Sequence, residues 1–202
     1  MIEGINLTKK FGDRLLLDNL SFTIETGEFV CFSGESGKGK TTLLNMIGQI
    51  EPPTSGQIRY DGKEVRTSRD RLAFLATKVG FIFQNFALVE GKTVSQNLEF
   101  VKKKNRQNIS VEEALERVGL SDKLHAKVYT LSGGEQQRVA LARLYIKKAD
   151  IILADEPTGS LDRHNADLVM SILKDLNSQG KTIVLVTHDD AIKERCNRII
   201  EL

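Results

Sequence analysis

The sequence predicts an α/β fold: a mostly parallel sheet core covered by helices, with an N-terminal antiparallel β subdomain and a helical subdomain. Three observations predict it. Four short apolar runs, Phe29–Ser33, Val79–Phe83, Ile151–Ala154 and Thr182–Thr187, have the length of buried strands. Segments with helical spacing separate them, and strands alternating with helices imply parallel pairing through crossovers. Outside this alternation, Ile2–Ile24 reads as strands and turns, and a charge-rich stretch of roughly residues 85–135 reads as helices.

Taken in order, Ile2–Ile24 holds alternating segments broken at Phe11-Gly12-Asp13. Phe29–Ser33 is bounded by glycines and reads as a buried strand. A glycine-rich turn, Gly34–Gly39, follows. Thr41–Ile50 then spaces Leu43, Leu44, Ile47 and Ile50 as a helix does, and Pro52-Pro53 ends it. Val79–Phe83 is closed by Gln84. Lys92–Val118 reads mostly as helix, with Ser110 and Glu113 spaced as a capping box. Gln136–Lys147 is a further helix, and Ile151–Ala154 a strand that ends in Asp155-Glu156. Asn165–Leu176 is amphipathic and Gly180 closes it before the last strand.

Composition narrows the function. The 202 residues suit one domain, taken as 1–202, with a modest subdomain. A net charge of +2 shows none of the basic excess expected of a nucleic-acid binder, so no nucleic-acid partner is expected. Cys31 and Cys196 form no spacing pattern, and Cys31 sits in an apolar run that suggests a buried small hydrophobe. No secretory signal and no apolar stretch of about 20 residues appears, so membrane association is expected through a partner, without insertion.

Three motifs carry chemistry. Gly34-Glu35-Ser36-Gly37-Lys38-Gly39-Lys40-Thr41 matches the G-x-x-x-x-G-K-[ST] phosphate loop of P-loop NTPases. Its glycines let backbone N–H groups surround anionic oxygens, and the helix that starts near Lys40 adds its positive end. Lys40 can reach the β- and γ-phosphates of ATP, Thr41 can ligate Mg2+, and Thr42 extends the loop. Next, a strand delivers Asp155 and Glu156 to its carboxyl end, where ligands of open α/β sheets bind. Asp155 can hold Mg2+, and Glu156 can act as catalytic base toward the attacking water. Finally, in Leu131-Ser132-Gly133-Gly134-Glu135-Gln136-Gln137-Arg138, Ser132 can cap a helix while Gly133 and Gly134 expose N–H groups at its positive end. That makes a second anion site, and one nucleotide cannot easily touch both sites of one chain. A head-to-tail pair of chains with two nucleotides between them resolves this.

This last octet closely resembles the signature sequence of ATP-binding-cassette (ABC) ATPases, and further motifs of that family follow in order. The resemblance implies ATP and Mg2+ as cofactors and a homodimer on ATP binding, with Ser132, Gly133, Gly134 and Glu135 completing the partner's site. It implies that Phe11 stacks on adenine, where the family more often has tyrosine. It assigns Gln84 to Mg2+ and to sensing a membrane permease docked nearby. Ser160-Leu161-Asp162 matches the loop that communicates across the dimer, and His188 the catalytic histidine at the γ-phosphate. Lys38 departs from the family, which usually has a small residue there. The run Phe81-Ile82-Phe83-Gln84-Asn85-Phe86-Ala87-Leu88-Val89, with Thr93-Val94, Asn97-Leu98 and Ala154–Asp162, looks like the lipoprotein-release, macrolide-export and bacteriocin-export branch.

The implied role is the ATPase subunit of a bacterial exporter, with bacteriocin or antimicrobial-peptide export the favoured subtype. A cell-division-type cassette driving a non-transporting permease is the alternative. The implied location is the cytoplasmic face of the cell membrane, through the permease. The close of the chain at Leu202, soon after His188, carries the expectation that no regulatory domain follows, which leans toward an exporter. Lys102-Lys103-Lys104 reads as a solvated helix face, with a lipid-headgroup contact as the lesser reading.

Overall fold

The computed structural model describes residues 1–159 and 161–202. In chain order the first elements are β1 (Ile2–Phe11), β2 (Arg14–Ile24), β3 (Phe29–Ser33), α1 (Lys40–Ile47), β4 (Ser55–Tyr60), β5 (Lys63–Glu64) and α2 (Ser68–Thr77). Then come β6 (Val79–Ile82), α3 (Val94–Glu99), α4 (Val111–Arg117), α5 (Gly133–Ile146) and β7 (Ile151–Asp155). The last are α6 (Arg163–Ser178), β8 (Thr182–Val186), α7 (Asp190–Lys193) and β9 (Arg198–Glu201).

The strands form two sheets. An antiparallel sheet has the order β2-β1-β4-β5, and its first hairpin turns at Gly12-Asp13 so that Phe11 pairs with Arg14. A parallel sheet has the order β6-β7-β8-β3-β9. That order positions the site. The chain leaves β3 across β8 and β7 to reach β6, and leaves β8 in the opposite direction across β3 to reach β9. Opposed crossovers leave a crevice at the carboxyl ends of the strands between them.

Strand alternation divides the core in two. Val30 and Phe32 face α1, whose Leu43, Leu44, Met46 and Ile47 also meet Leu7, Leu17 and Ile24 of the antiparallel sheet. An eight-residue helix is too short to hold alone. Burial of each such side chain contributes about 1.5–3 kcal/mol, so packing between the two sheets stabilises α1. Phe29 and Cys31 face the opposite side, where Leu141 and Leu144 of α5, Leu173 of α6, Leu98 of α3 and Leu115 of α4 gather. Cys31 is fully buried, as its neighbours predict.

Several boundaries differ from those expected. Helix α1 stops at Ile47, three residues short of Ile50, because Gln49 takes a left-handed φ of 60°. The preceding Gly48 is forced by close packing, since a Cβ there would lie 2.0 Å from Phe81 Cζ. Helix α5 begins at Gly133 instead of Gln136, because Ser132 and Glu135 close a capping box one turn earlier. The Ser110–Glu113 box forms as expected, and Thr93–Gln96 makes another before α3. Residues 55–77, unassigned from the sequence, form β4, β5 and α2, and β9 adds an edge strand beside β3. Among the described residues, no helix is long and apolar enough to cross a membrane.

Candidate functional site

A cleft of about 650 Å³ opens at the carboxyl end of the parallel sheet. Phe11, Arg14 and Leu16 of the first hairpin form one wall. Ser36, Gly37, Gly39, Lys40, Thr41 and Thr42 form the floor, and Gln84, Glu156, Gly159 and His188 close the other side.

The floor is built by backbone geometry. Gly37 and Gly39 take φ of 82° and 90°, left-handed values that glycine adopts without strain. Gly39 also lies under the hairpin, where a Cβ would come within 2.9 Å of Leu16 Cγ. Lys40 is buried, and its Nζ donates to Gly34 O at 2.7 Å and Glu35 O at 2.9 Å. The ammonium therefore staples the loop that it follows and keeps a third donor. Lys38 is exposed and does not line the cleft; its N–H donates to Glu35 O at 3.3 Å.

The carboxylates arrive from β7. Asp155 is half-buried, and Thr41 Oγ1 donates to its Oδ1 at 3.0 Å. Burial pushes the Asp155 carboxyl above its usual range, against the opposing pull of the Thr41 bond, and the neighbouring Glu156 charge adds to the rise. Glu156 adopts a left-handed φ of 45°, a strained value for a non-glycine residue, which turns it away from the strand line. Its Oε1 lies 2.8 Å from His188 Nδ1, and its Oε2 accepts from Thr187 Oγ1 at 3.0 Å. His188 stands 70% exposed at the rim, whereas Glu156 is largely buried.

Thr41 and Asp155 offer adjacent hard oxygen donors, with Gln84 on the same cleft, a set that fits Mg2+. Among the described residues, no cluster of three or more His, Cys, Asp or Glu side chains could cage a metal. An ion at Thr41 would therefore draw its remaining ligands from water and phosphate, as Mg2+ does.

The signature residues lie elsewhere. Ser132 caps α5, its Oγ accepting from Glu135 N at 3.2 Å while Glu135 Oε2 accepts from Ser132 N at 2.8 Å. The Ser132 N–H holds the Glu135 carboxyl below its ordinary range. None of Ser132, Gly133, Gly134 or Glu135 lines the cleft. Gly134 packs against Asn165, where a Cβ would sit 2.7 Å from the amide, and Arg138 Nη1 donates to Asn165 Oδ1 at 2.6 Å. Asn165 in turn donates to both oxygens of Asp162. Ser160 lies outside the described residues.

Three side chains of the site are not marked by any motif of the sequence. Arg14 and Leu16 belong to a hairpin read only as generic strand, although the Gly12-Asp13 turn sets Arg14 opposite Phe11. Thr187 ends the strand run, and its buried hydroxyl fixes Glu156. Its signal was a polar residue closing an otherwise apolar run.

A family model described as ABC transporter matches residues 17–159. The macrolide export ATP-binding/permease protein of Mannheimia succiniciproducens is 42% identical, over 100% of this chain and 33% of its own length. The chain thus spans about a third of such relatives. An uncharacterized ABC transporter ATP-binding protein of Methanocaldococcus jannaschii, MJ1508, is 41% identical, over 100% of this chain and 95% of its own length. A solved dimer of the ATP-binding cassette MJ0796, in a post-hydrolysis state bound to ADP and Pi, matches with a TM-score of 0.87 at 37% identity. That match covers 100% of this chain and 94% of the cassette.

Proposed function

The chain belongs to the ABC transporter family, whose members are ATPases, and from that premise we propose that it powers an exporter through a membrane permease. One observation carries the reading: the two anion-binding elements are divided. The phosphate loop, Gln84, Glu156 and His188 share a cleft, while the Ser132–Glu135 cap stands outside it. A second copy placed head to tail brings its Ser132 cap over the first copy's loop. The matched cassette MJ0796, itself a dimer bound to ADP and Pi, supports that arrangement.

In this reading residues 1–202 form one cassette, with roughly 85–135 as its helical subdomain. Phe11 stacks on adenine, and the backbone from Gly34 to Thr42 cradles the phosphates. Lys40, already anchored to Gly34 and Glu35, turns its remaining donor to the β- and γ-phosphates. Thr41, Asp155 and Gln84 hold Mg2+, which supplies charge neutralisation at the phosphates. Glu156, with one oxygen held by Thr187 and the other beside His188, accepts the proton of the attacking water. His188 donates Nδ1–H to that carboxylate, so its Nε2 donates to a γ-phosphate oxygen only as imidazolium.

Closure of the pair moves the groove beside Gln84, near which the permease docks, and hydrolysis reopens it. The working chain lies at the inner face of the cell membrane, held by the permease without insertion and without nucleic acid. The macrolide export for which these relatives are named supports export, and we favour a bacteriocin or antimicrobial peptide as cargo. The test is reconstitution with the cognate permease in inside-out vesicles. ATP-dependent accumulation of a macrolide or antimicrobial peptide is expected. Permease-stimulated ATPase without accumulation of either would point instead to a cell-division-type mechanical role.

A further inference from the structure

Lysine is rarely buried unless a partner compensates the loss of hydration. Lys9 is such a case, only 6% exposed, on the inward face of β1. Its Nζ donates to Glu51 Oε1 and, at 2.8 Å, to Pro52 O, both just beyond α1. Residues two apart on a strand share a face, so Lys9 lies beside Phe11. Its Nζ sits over the Phe11 ring, 4.8 Å from the centroid. Phe11 itself is 51% exposed and lines the cleft. The ring thus rests against a fixed cation and is half exposed where it lines the cleft.

We propose that Lys9 is a positioning residue for the nucleotide base: it pins Phe11 as a ready-made stacking platform. The inference rests on the reading of Phe11 as the adenine contact. Two effects act together. An exposed aromatic side chain loses rotamer freedom when a base stacks on it, and a ring already held loses less. The ammonium also draws π density toward its own face, which favours an electron-rich purine on the other. Glu51 and Pro52 fix the ammonium, so the platform is tied to the end of the helix that carries Lys40 and Thr41.

The test compares ATP with inorganic tripolyphosphate, which has the phosphates and no base, by titration calorimetry on the full chain. Lys9→Gln keeps a donor for Glu51 and Pro52 but removes the cation. It should weaken ATP about threefold to tenfold and leave tripolyphosphate unchanged. Lys9→Arg, which also stacks on aromatic faces, should restore ATP affinity. In a Phe11→Leu background, Lys9→Gln should have no further effect on ATP. Equal losses for ATP and tripolyphosphate, or full additivity with Phe11→Leu, would overturn the role of Lys9. If the unaltered chain bound tripolyphosphate but gained nothing from the base, the Phe11 platform itself would fall.

Discussion

Glu156 and His188 face each other across the rim of the cleft, with Oε1 and Nδ1 2.8 Å apart, while Thr187 anchors the second Glu156 oxygen. The carboxylate is thus fixed at both ends before any water arrives. Replacing Glu156 with Gln keeps its size and removes its basicity. ATP turnover should fall by about 10²–10⁴-fold with ATP affinity retained, as read by phosphate release and nucleotide titration.

Thr187→Val removes the hydroxyl that steers Glu156 without touching the nucleotide. The loss of one hydrogen bond to a charged group predicts a fall in kcat of roughly tenfold, with KM for ATP little changed. An equal rise in KM would place Thr187 in binding instead of orientation.

Lys40 staples the loop and keeps one donor for the proposed phosphate contact, so Lys40→Ala should weaken ATP binding by at least about tenfold. Unchanged affinity in a titration would remove the Gly34–Thr41 loop from the account.

Asp155 gives a pH signature. Burial raises its folded pKa, so the unfolded chain releases this proton first as pH climbs. Its contribution to stability is present below the ordinary carboxylate pKa and is lost as pH rises through the folded value. Asp155→Asn should therefore raise the Tm of the nucleotide-free chain at pH 7 and leave it unchanged below that ordinary range. The same variant should lose ATPase activity. A Tm lowered at pH 7 would contradict the burial argument.

Much of this was legible because local and global signals coincided. The loop from Gly34 to Thr41 sits between an apolar run and a helical spacing, and Ser132 before two glycines announces a helix cap. Residues 55–77 were opaque for a physical reason. Helix α2 buries little beyond Phe74, and β4 has only Ile58 and Tyr60 as an alternating apolar pair and is set by its pairing with β1. The edge strand β9 is mostly exposed and is likewise set by its neighbour β3. Thr187 and Arg14 act through contacts with residues far along the chain or across a turn, of which a polar end to an apolar run and a Gly-Asp turn are only faint local signs.

In the proposed dimer, one chain's phosphate loop and another's Ser132 enclose the same ATP. Light scattering of the Glu156→Gln chain with ATP and Mg2+ tests it most directly. The expected mass is twice the 22.5 kDa of the chain, with a return to the single mass when Ser132→Arg is added. A chain that stayed at 22.5 kDa with ATP fully bound would contradict it.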